Sequence, residues 1–261
     1  MKSAQSEQWS AVAQRSYAAA GGVSSVFDSA PPLTNRLYYP LFAVFKPCLR
    51  ILHLLDCTLI LLHEDPHILV VDKDAGEHSQ PPAQASGEPS VLERCQTDFG
   101  EDIRLIHRLD RDTSGLLVLA RTREAARALG FALRTREITR VYRARIGVLL
   151  PLGASGTISD PLKWAGGRTW VDPTGAPAIT HWSVVAHRGR ASELDVRLET
   201  GRMHQIRVHL ASRLGPILGD RKYRGESRDR LYLRAIQLSF KHPHTGEDMR
   251  FRVKGFPDSP A

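Results

Sequence analysis

A run of apolar residues directly after a charged turn is the feature that most constrains this chain. Residues 107–115, HRLDRDTSG, contain two aspartates, two arginines and one histidine, and the apolar run Leu116–Ala120 follows at once. A short apolar run bounded by turn residues is typical of a buried strand. Asp112 and the Thr113–Gly115 segment have turn chemistry, in which side-chain oxygens accept backbone hydrogen bonds. We therefore expect a charged segment held rigidly at the edge of a core.

Asp110 is the residue of this segment whose role the spacing leaves open. It lies between Arg108 and Arg111, which can compensate an ionised carboxylate. A carboxylate held in this way can serve chemistry, but charged turns on protein surfaces are common and contribute little. From spacing alone, a catalytic and a structural role are equally favoured.

Most of the chain after residue 58 has the pattern of short strands in hairpin succession. The clearest are Leu59–Leu62, Ile68–Asp72, 116–120, 140–150, 192–199 and a closing hairpin over 231–253. In the strand at 192–199, Leu194, Val196 and Leu198 should face inward, and Glu193, Asp195, Arg197 and Glu199 outward. Helices are predicted at 91–98 with a Ser90–Glu93 capping box, at 122–136 and at 202–215. The pattern predicts an α+β fold with a central mixed, mainly antiparallel sheet flanked by helices.

The N-terminal region differs in composition from the rest. Residues 1–58 are interpreted as a leader, partly flexible, in which 41–57 would fit a helix packed on the main domain. Residues 59–257 form the predicted main domain and 258–261 a tail. The apolar stretch 41–62 is interrupted by Lys46, Pro47 and Arg50, unlike a membrane span. Because no signal peptide pattern is evident either, we expect a cytoplasmic protein without membrane association.

The charge balance indicates a polyanionic partner. The net charge is +8, and arginines outnumber lysines by 29 to 7. Guanidinium groups bind phosphate through a planar fork and stack on bases, which favours nucleic acid. Arginine richness can equally reflect genomic base composition. The three cysteines have no close pair, which argues against a disulfide framework.

Motifs for cofactors are not found in the sequence. It contains neither GxxxxGK[ST] nor GxGxxG, so a nucleotide cofactor is not expected. Two histidine-rich segments, HEDPH (63–67) and HPH (242–244), fall in predicted turns with poor spacing for a metal. We favour solvated turns over metal sites, and expect no cofactor and no metal.

Several motifs in order resemble the RluA-type pseudouridine synthases. HRLDRDTSGLLVLA at 107–120 resembles the family signature, and the likeness extends over about residues 59–257. The other segments that carry it are ILLHEDPHILVVDKDAG (60–76), RVYRA (140–144), TGRMHQIRVHLASRLGPILGDRKY (200–223), RLYLRA (230–235) and LSFKHPHTGEDMRF (238–251). The resemblance implies one catalytic domain of the pseudouridine synthase type. It also implies conversion of selected uridines in ribosomal or transfer RNA to pseudouridine, with the base flipped from its stack and without a cofactor.

The resemblance also implies roles for individual residues. Asp110 matches the catalytic aspartate, Tyr142 the active-site tyrosine, and Arg207 the arginine that pairs with the aspartate. Without the family, Tyr142 would be interpreted as a strand residue packed on the sheet, and Arg207 as a phosphate contact on a helix surface. Contacts to substrate or RNA are expected from Arg108, Arg111, Arg202, His204 and Leu233. Arg202 would bind phosphate at the start of the helix.

Three departures from the family pattern leave alternatives open. Asp74 stands where proline is usual, Ala176 where lysine is usual and Arg234 where histidine is usual. They lie away from the three proposed catalytic residues, so they affect the expected RNA contacts more than the expected catalytic chemistry. The chain could therefore be a catalytically inactive RNA-binding or RNA-chaperone protein on the same fold. A metal-dependent hydrolase using the histidine-rich turns is a weaker alternative. We expect a monomer.

Overall fold

Eleven strands make one mixed sheet in the computed structural model, which describes residues 50–54, 57–83 and 87–256. A separate two-stranded hairpin and three helices complete the described part of the chain. The strands are β1 Arg50–Leu54, β2 Cys57–Glu64, β3 Ile68–Lys73, β4 Arg104–Leu105, β5 Ser114–Ala120, β6 Thr139–Ile146, β7 Ser155–Ile158, β8 Leu162–Ala165, β9 Arg168–Val171, β10 Thr180–Arg188, β11 Ala191–Leu198, β12 Leu233–Lys241 and β13 Asp248–Arg252. The helices are α1 Val91–Phe99, α2 Arg123–Arg134 and α3 Gln205–Arg213.

The sheet order brings distant parts of the chain together at its centre. The order is β1-β2-β3-β5-β12-β6-β11-β10-β7, with β13 paired to β12 and β4 to β5. Described neighbours are antiparallel except β5 and β12, which are parallel at Ser114–Arg234 and Gly115–Ala235. The prediction of a mixed, mainly antiparallel sheet is therefore confirmed.

The core beneath the central strands explains the apolar patterns in the sequence. Helix α2 begins after Thr122, at the predicted start, and the Thr122 hydroxyl accepts the amide hydrogen of Ala125. Its inner face packs on the sheet through a cluster of fully buried residues: Ile68, Val70, Leu116, Val118, Leu129, Ile138, Leu238 and Phe240. Burying side chains of this size stabilises the fold by roughly 1.5–3 kcal/mol each. The start of β5 is thereby fixed.

The predicted elements are largely found, with four differences. The capping box of α1 is present. Residues 50–54 form a strand paired with β2, so a helix over 41–57 is wrong there, and 1–49 lie outside the described residues. Helix α2 ends at Arg134 rather than at 136. Helix α3 begins at Gln205 rather than at 202 and is buried almost all round, not along one stripe.

The fourth difference is the outward orientation predicted for Glu193. Its side chain is buried because Arg145 donates two hydrogen bonds to it, at 3.2 and 2.5 Å, from the neighbouring strand β6. A buried carboxylate is tolerated where a guanidinium compensates it in this way. The alternation of apolar residues located β11 correctly but could not reveal this cross-strand pair.

The two histidine-rich turns meet at the end of the sheet away from the start of β5. His63 and His242 both approach Asp65 Oδ2 through Nε2, at 2.6 and 3.1 Å, and His67 stacks on His244. These turns are therefore bonded to each other, not separately solvated. In the ranges that the structure describes, no three His, Cys, Asp or Glu side chains are grouped to hold a metal ion.

A helix that crosses a membrane needs about 20 predominantly apolar residues. None of the three described helices is both long and apolar enough to cross a bilayer.

Candidate active site

Asp110 lies in the loop that leads into β5, and its backbone helps to close that loop. The amide of Thr113 donates to the Asp110 carbonyl at 3.1 Å, which forms the turn over Arg111 and Asp112. The turn is thus closed by backbone groups. The Asp110 side chain is one-fifth exposed at the bottom of a cleft.

The ammonium group of Lys73 binds a backbone carbonyl of this loop. Lys73 is fully buried and donates to the carbonyls of Asp74, Glu77 and Arg111 at 2.7–2.9 Å. Burial lowers the pKa of Lys73 to about 8, although nearby carboxylates oppose that shift. Three charge-assisted hydrogen bonds to two loops leave the Asp110 segment little freedom to move.

Arg207, on the first turn of α3, binds two aspartates at once. Its Nη1 donates to Asp110 Oδ2 at 3.2 Å, while Nε and Nη2 donate to the two oxygens of Asp220, both at 2.8 Å. Burial alone would lower the pKa of Arg207, but its bonds to Asp220 and Asp110 outweigh burial and raise it. Arg207 is buried, so the interpretation as a surface phosphate contact is wrong. The fork is fixed by Asp220, and one nitrogen is presented to Asp110.

Tyr142 and Leu233 reach the same cleft from the central strands. Tyr142 on β6 faces Ala235 on β12, and Leu233 on β12 faces Ala144 on β6. Both side chains line the cleft with Asp110 and are otherwise buried. Burial raises the pKa of Tyr142, which keeps the phenol neutral at physiological pH. The cleft therefore combines a carboxylate, a neutral phenol, an apolar wall and a rim that includes Arg136, Arg140 and Arg202.

Two adjoining clefts share Asp110. The first, of about 600 Å³, contains Tyr142 and Leu233. Besides Arg207, the second, of about 630 Å³, is lined by six cationic side chains: Arg108, Arg111, Arg221, Lys222, Arg228 and Arg230. The residues that line both are Arg108, Asp110, Met203, His204 and Arg207. The Asp110 carboxylate thus lies where the first cleft adjoins the basic second cleft.

Of the five residues expected to contact substrate, all line one cleft or both. Arg108 and Arg111 are exposed, and Arg111 Nε also donates to the Gly76 carbonyl. Arg202 lines the first cleft but precedes α3 by three residues, and its Nε donates to the Pro177 carbonyl. The expectation that it lies on the helix itself is wrong.

Arg234, one of the three departures from the family pattern, forms an ion pair in the structure. Arg234 Nη2 donates to Asp72 Oδ2 at 2.5 Å, and its Nε donates to the Lys254 carbonyl. Burial raises the pKa of Asp72, and Arg234 opposes that rise. Arg234 is therefore explained by a partly buried ion pair beside β3.

Three residues of the site were missed by sequence reasoning: Lys73, Asp220 and Tyr223. Asp220 and Tyr223 lie in the segment GDRKY, which was recognised as a turn but given no role. Asp220 is almost fully buried, and its Oδ1 also accepts the amides of Lys222 and Tyr223 at 3.1 Å. An aspartate with a nearby glycine is an ordinary turn signal, so its partner was visible only once the chain was folded.

The comparison with protein families agrees with this geometry. Residues 67–212 match the family model described as RNA pseudouridylate synthase, and this region contains Asp110, Tyr142 and Arg207. The chain belongs to this family. Membership of the RluA-type synthases is confirmed by curated relatives as well. The chain is thus an isomerase that converts uridine to pseudouridine in RNA.

Two of these synthases illustrate the extent of the similarity. The chain is 38% identical over 226 residues to "Ribosomal large subunit pseudouridine synthase D" of Vibrio vulnificus, covering 76% of this chain and 67% of the relative. It is 36% identical over 225 residues to the protein of the same name from Salmonella typhimurium, with the same coverage.

Solved structures of synthases have the same fold. Human RNA Pseudouridylate Synthase Domain Containing 1 superposes with a TM-score of 0.63 at 23% identity, over 75% of this chain and 83% of that one. Human RNA Pseudouridylate Synthase Domain Containing 4 gives 0.60 at 22%, over 76% and 88%. At these identities the likeness concerns the fold.

Proposed function

We propose that this synthase acts on ribosomal RNA and that Asp110 is its catalytic group. The observation that carries the proposal is the position of the Asp110 carboxylate, bonded to Arg207 where the two clefts join. The target is inferred from relatives that are named for the large ribosomal subunit. Transfer RNA remains the second target class, and a substrate panel distinguishes the two.

The chemistry that we propose requires a group on the ribose side and a group on the base side. The bond between ribose C1′ and uracil N1 breaks, the base turns, and C5 joins C1′ while the C5 proton leaves and N1 gains one. Asp110 acts on the sugar as nucleophile, as base on the 2′ proton or as stabiliser of a cationic sugar. Tyr142, a neutral phenol, stacks on the displaced uracil and exchanges a proton with it.

Binding of the flipped uridine follows from the two clefts. The first cleft has the size and the apolar wall, at Leu233, to take one base. The basic second cleft holds the adjoining phosphates, with Arg108 and Arg111 nearest to Asp110 along the sequence. Arg202 contacts the RNA from the rim of the first cleft, and His204 is present in both.

Tritium release from RNA labelled at uridine C5 tests the proposal. We expect turnover by the wild type on ribosomal RNA and none by Asp110→Asn, which keeps the shape but removes the charge. RNA affinity of the variant should stay within a few-fold. Asp98→Asn, exposed on α1 and outside both clefts, is the control and should keep full turnover. Turnover by Asp110→Asn would refute the assignment, and a wild type that binds without turnover would favour an RNA-binding or chaperone role.

We further propose that the enzyme works as a cytoplasmic monomer without a nucleotide cofactor. Support comes from the sequence, which lacks phosphate-binding motifs. Light scattering should give the mass of one 29.1 kDa chain. Dialysed enzyme should turn over without added nucleotide, and fractionation should recover it with the cytoplasm.

A further inference from the structure

His204 has a backbone conformation that needs an explanation. It directly precedes α3 with φ 53° and ψ 23°, in the left-handed region that non-glycine residues rarely adopt. Its side chain does not cap the helix. A strained conformation persists only where the surroundings determine it, and such residues concentrate at functional sites. The contacts of the His204 imidazole are therefore expected to hold this backbone conformation.

One ring nitrogen of His204 is bonded to Tyr223. His204 Nδ1 lies 2.8 Å from the Tyr223 hydroxyl, which accepts the amide hydrogen of Thr169 at 3.1 Å. Burial raises the pKa of Tyr223, so the phenol keeps its proton. The Tyr223 hydroxyl thus accepts one hydrogen bond and keeps its own proton to donate to Nδ1, an orientation that is part of the proposal made below. The neutral His204 ring then carries its hydrogen on Nε2.

That Nε2 faces the catalytic carboxylate. It lies 3.8 Å from Asp110 Oδ2, the same oxygen that accepts from Arg207. The charged groups around the ring are Asp110, Arg207, Asp220 and Lys222. Burial lowers the pKa of His204 despite the attraction of Asp110, which favours the neutral ring. The His204 side chain is only 11% exposed, so it is enclosed with Asp110.

We propose that His204 is a positioning residue for Asp110, with its Nε2–H directed at Oδ2 by the Tyr223 hydroxyl. A shift of less than 1 Å would turn the 3.8 Å approach into a hydrogen bond. Two donors on Oδ2 leave Oδ1 as the oxygen for the ribose. Tyr223 is anchored to Thr169 of the β8–β9 hairpin, so the hairpin, Tyr223, His204 and Asp110 form one chain of contacts. This inference rests on the proposed function of Asp110.

Steady-state kinetics on the RNA substrate gives the first test. His204→Phe should lower kcat by about 10–100-fold while KM changes less than threefold, because binding is retained and orientation is lost. His204→Gln, whose amide nitrogen can donate from near the position of Nε2, should recover most of kcat. A purely structural role would lower stability and would not separate kcat from KM. Equal losses in the Phe and Gln variants would overturn the proposal.

Tyr223→Phe supplies the second test, because it removes the group that fixes the ring. It should lower kcat by up to about tenfold, and the double variant with His204→Phe should be no slower than His204→Phe alone. Additive losses would overturn the proposal, since Tyr223 would then act independently of His204.

Nitrogen-15 NMR of histidine-labelled enzyme tests the tautomer without any turnover. At pH 7.5 the wild type should show His204 neutral with hydrogen on Nε2, and Tyr223→Phe should show a mixture of tautomers. A wild-type ring with hydrogen on Nδ1, or a charged ring, would overturn the inference even if the enzyme is active. Conversely, a wild type without turnover on RNA would refute the proposed function while the tautomer is still measured.

Discussion

At the scale of single residues, Asp220 matters because it fixes the fork that Arg207 presents to Asp110. Both its oxygens bind Arg207, and its side chain is fully buried. Asp220→Asn should lower stability by about 3 kcal/mol, because a buried guanidinium loses most of its compensation. It should also lower kcat by roughly 100-fold, since a displacement of about 1 Å at Asp110 has that effect. Urea unfolding and tritium release measure the two effects.

The less buried pair of Arg213 and Asp160 is the matched control for that variant. It has the same two-pronged geometry, with both bonds at 2.6 Å, but Arg213 is half exposed. Asp160→Asn should change stability by less than about 1 kcal/mol and leave turnover intact. If the two variants behaved alike, burial of Asp220 would not be the cause of its effect.

His107 gives a prediction about acid stability. Burial, with a smaller effect of Arg140, lowers its pKa to about 3, and neither ring nitrogen has a partner among the described residues. Between pH 6.5 and 3 the unfolded chain binds a proton there that the folded chain does not, so stability falls as the pH falls. Replacement by leucine should reduce the loss of stability between pH 7.5 and 5 by about 2 kcal/mol. Urea titrations at both pH values would contradict this if His107→Leu and wild type lost stability equally.

At the scale of elements, the contact between β5 and β12 depends on Gly115. Its φ is 113°, and an added Cβ would overlap the backbone of Ala235. Gly115→Ala should therefore cost about 3 kcal/mol, from the positive φ together with overpacking. The matched control is Gly153→Ala, at φ 79° with open space around it, which should cost only about 1 kcal/mol. Thermal unfolding compares the two, and equal losses would show that close packing at Ala235 is not responsible.

The β8–β9 hairpin carries two exposed tryptophans on opposite faces. Trp164 pairs with Thr169 and lines the basic cleft, whereas Trp170 pairs with Lys163 and faces away. Stacking of a base on an aromatic ring contributes about 1–3 kcal/mol. Trp164→Ala should then weaken RNA binding by roughly tenfold, and Trp170→Ala by less than twofold. Fluorescence anisotropy with labelled RNA measures both, and equal effects would argue against stacking at Trp164.

Elements were predictable where local patterns determine them. The capping box at Ser90 and the cap at Thr122 are made by residues three apart, so the sequence is sufficient. The start of α3 was misplaced because His204 adopts a left-handed conformation that its contact with Tyr223 holds. The burial of Glu193 depends on Arg145, 48 residues away. Such pairs depend on which strands are neighbours in the sheet, and the hydrophobic periodicity of a single strand does not give that information.

At the scale of the whole molecule, the site is assembled from parts far apart in the chain. Asp110 and Arg207 are 97 residues apart, and their pairing was expected only through the family resemblance. The central position of β12 between β5 and β6 brings Asp110, Tyr142 and Leu233 to one cleft. Composition indicated a basic protein but could not tell where the charge would gather. The fold gathers this charge around Asp110. Besides Arg207, six cations line the second cleft, and the first is lined by Arg108, Arg134, Arg136, Arg140 and Arg202.

This gathering of charge predicts how binding depends on salt. If each of the six cations of the second cleft neutralises one phosphate of single-stranded RNA, the logarithm of affinity should fall with the logarithm of salt concentration at a slope of about −4. Replacing Arg228 and Arg230 by serine should reduce the slope to about −3. Arg250 and Arg252 are exposed on β13, outside both clefts, so the same double change there should leave the slope unaltered. A slope near zero, or equal changes in the two double variants, would mean that RNA does not follow this cleft.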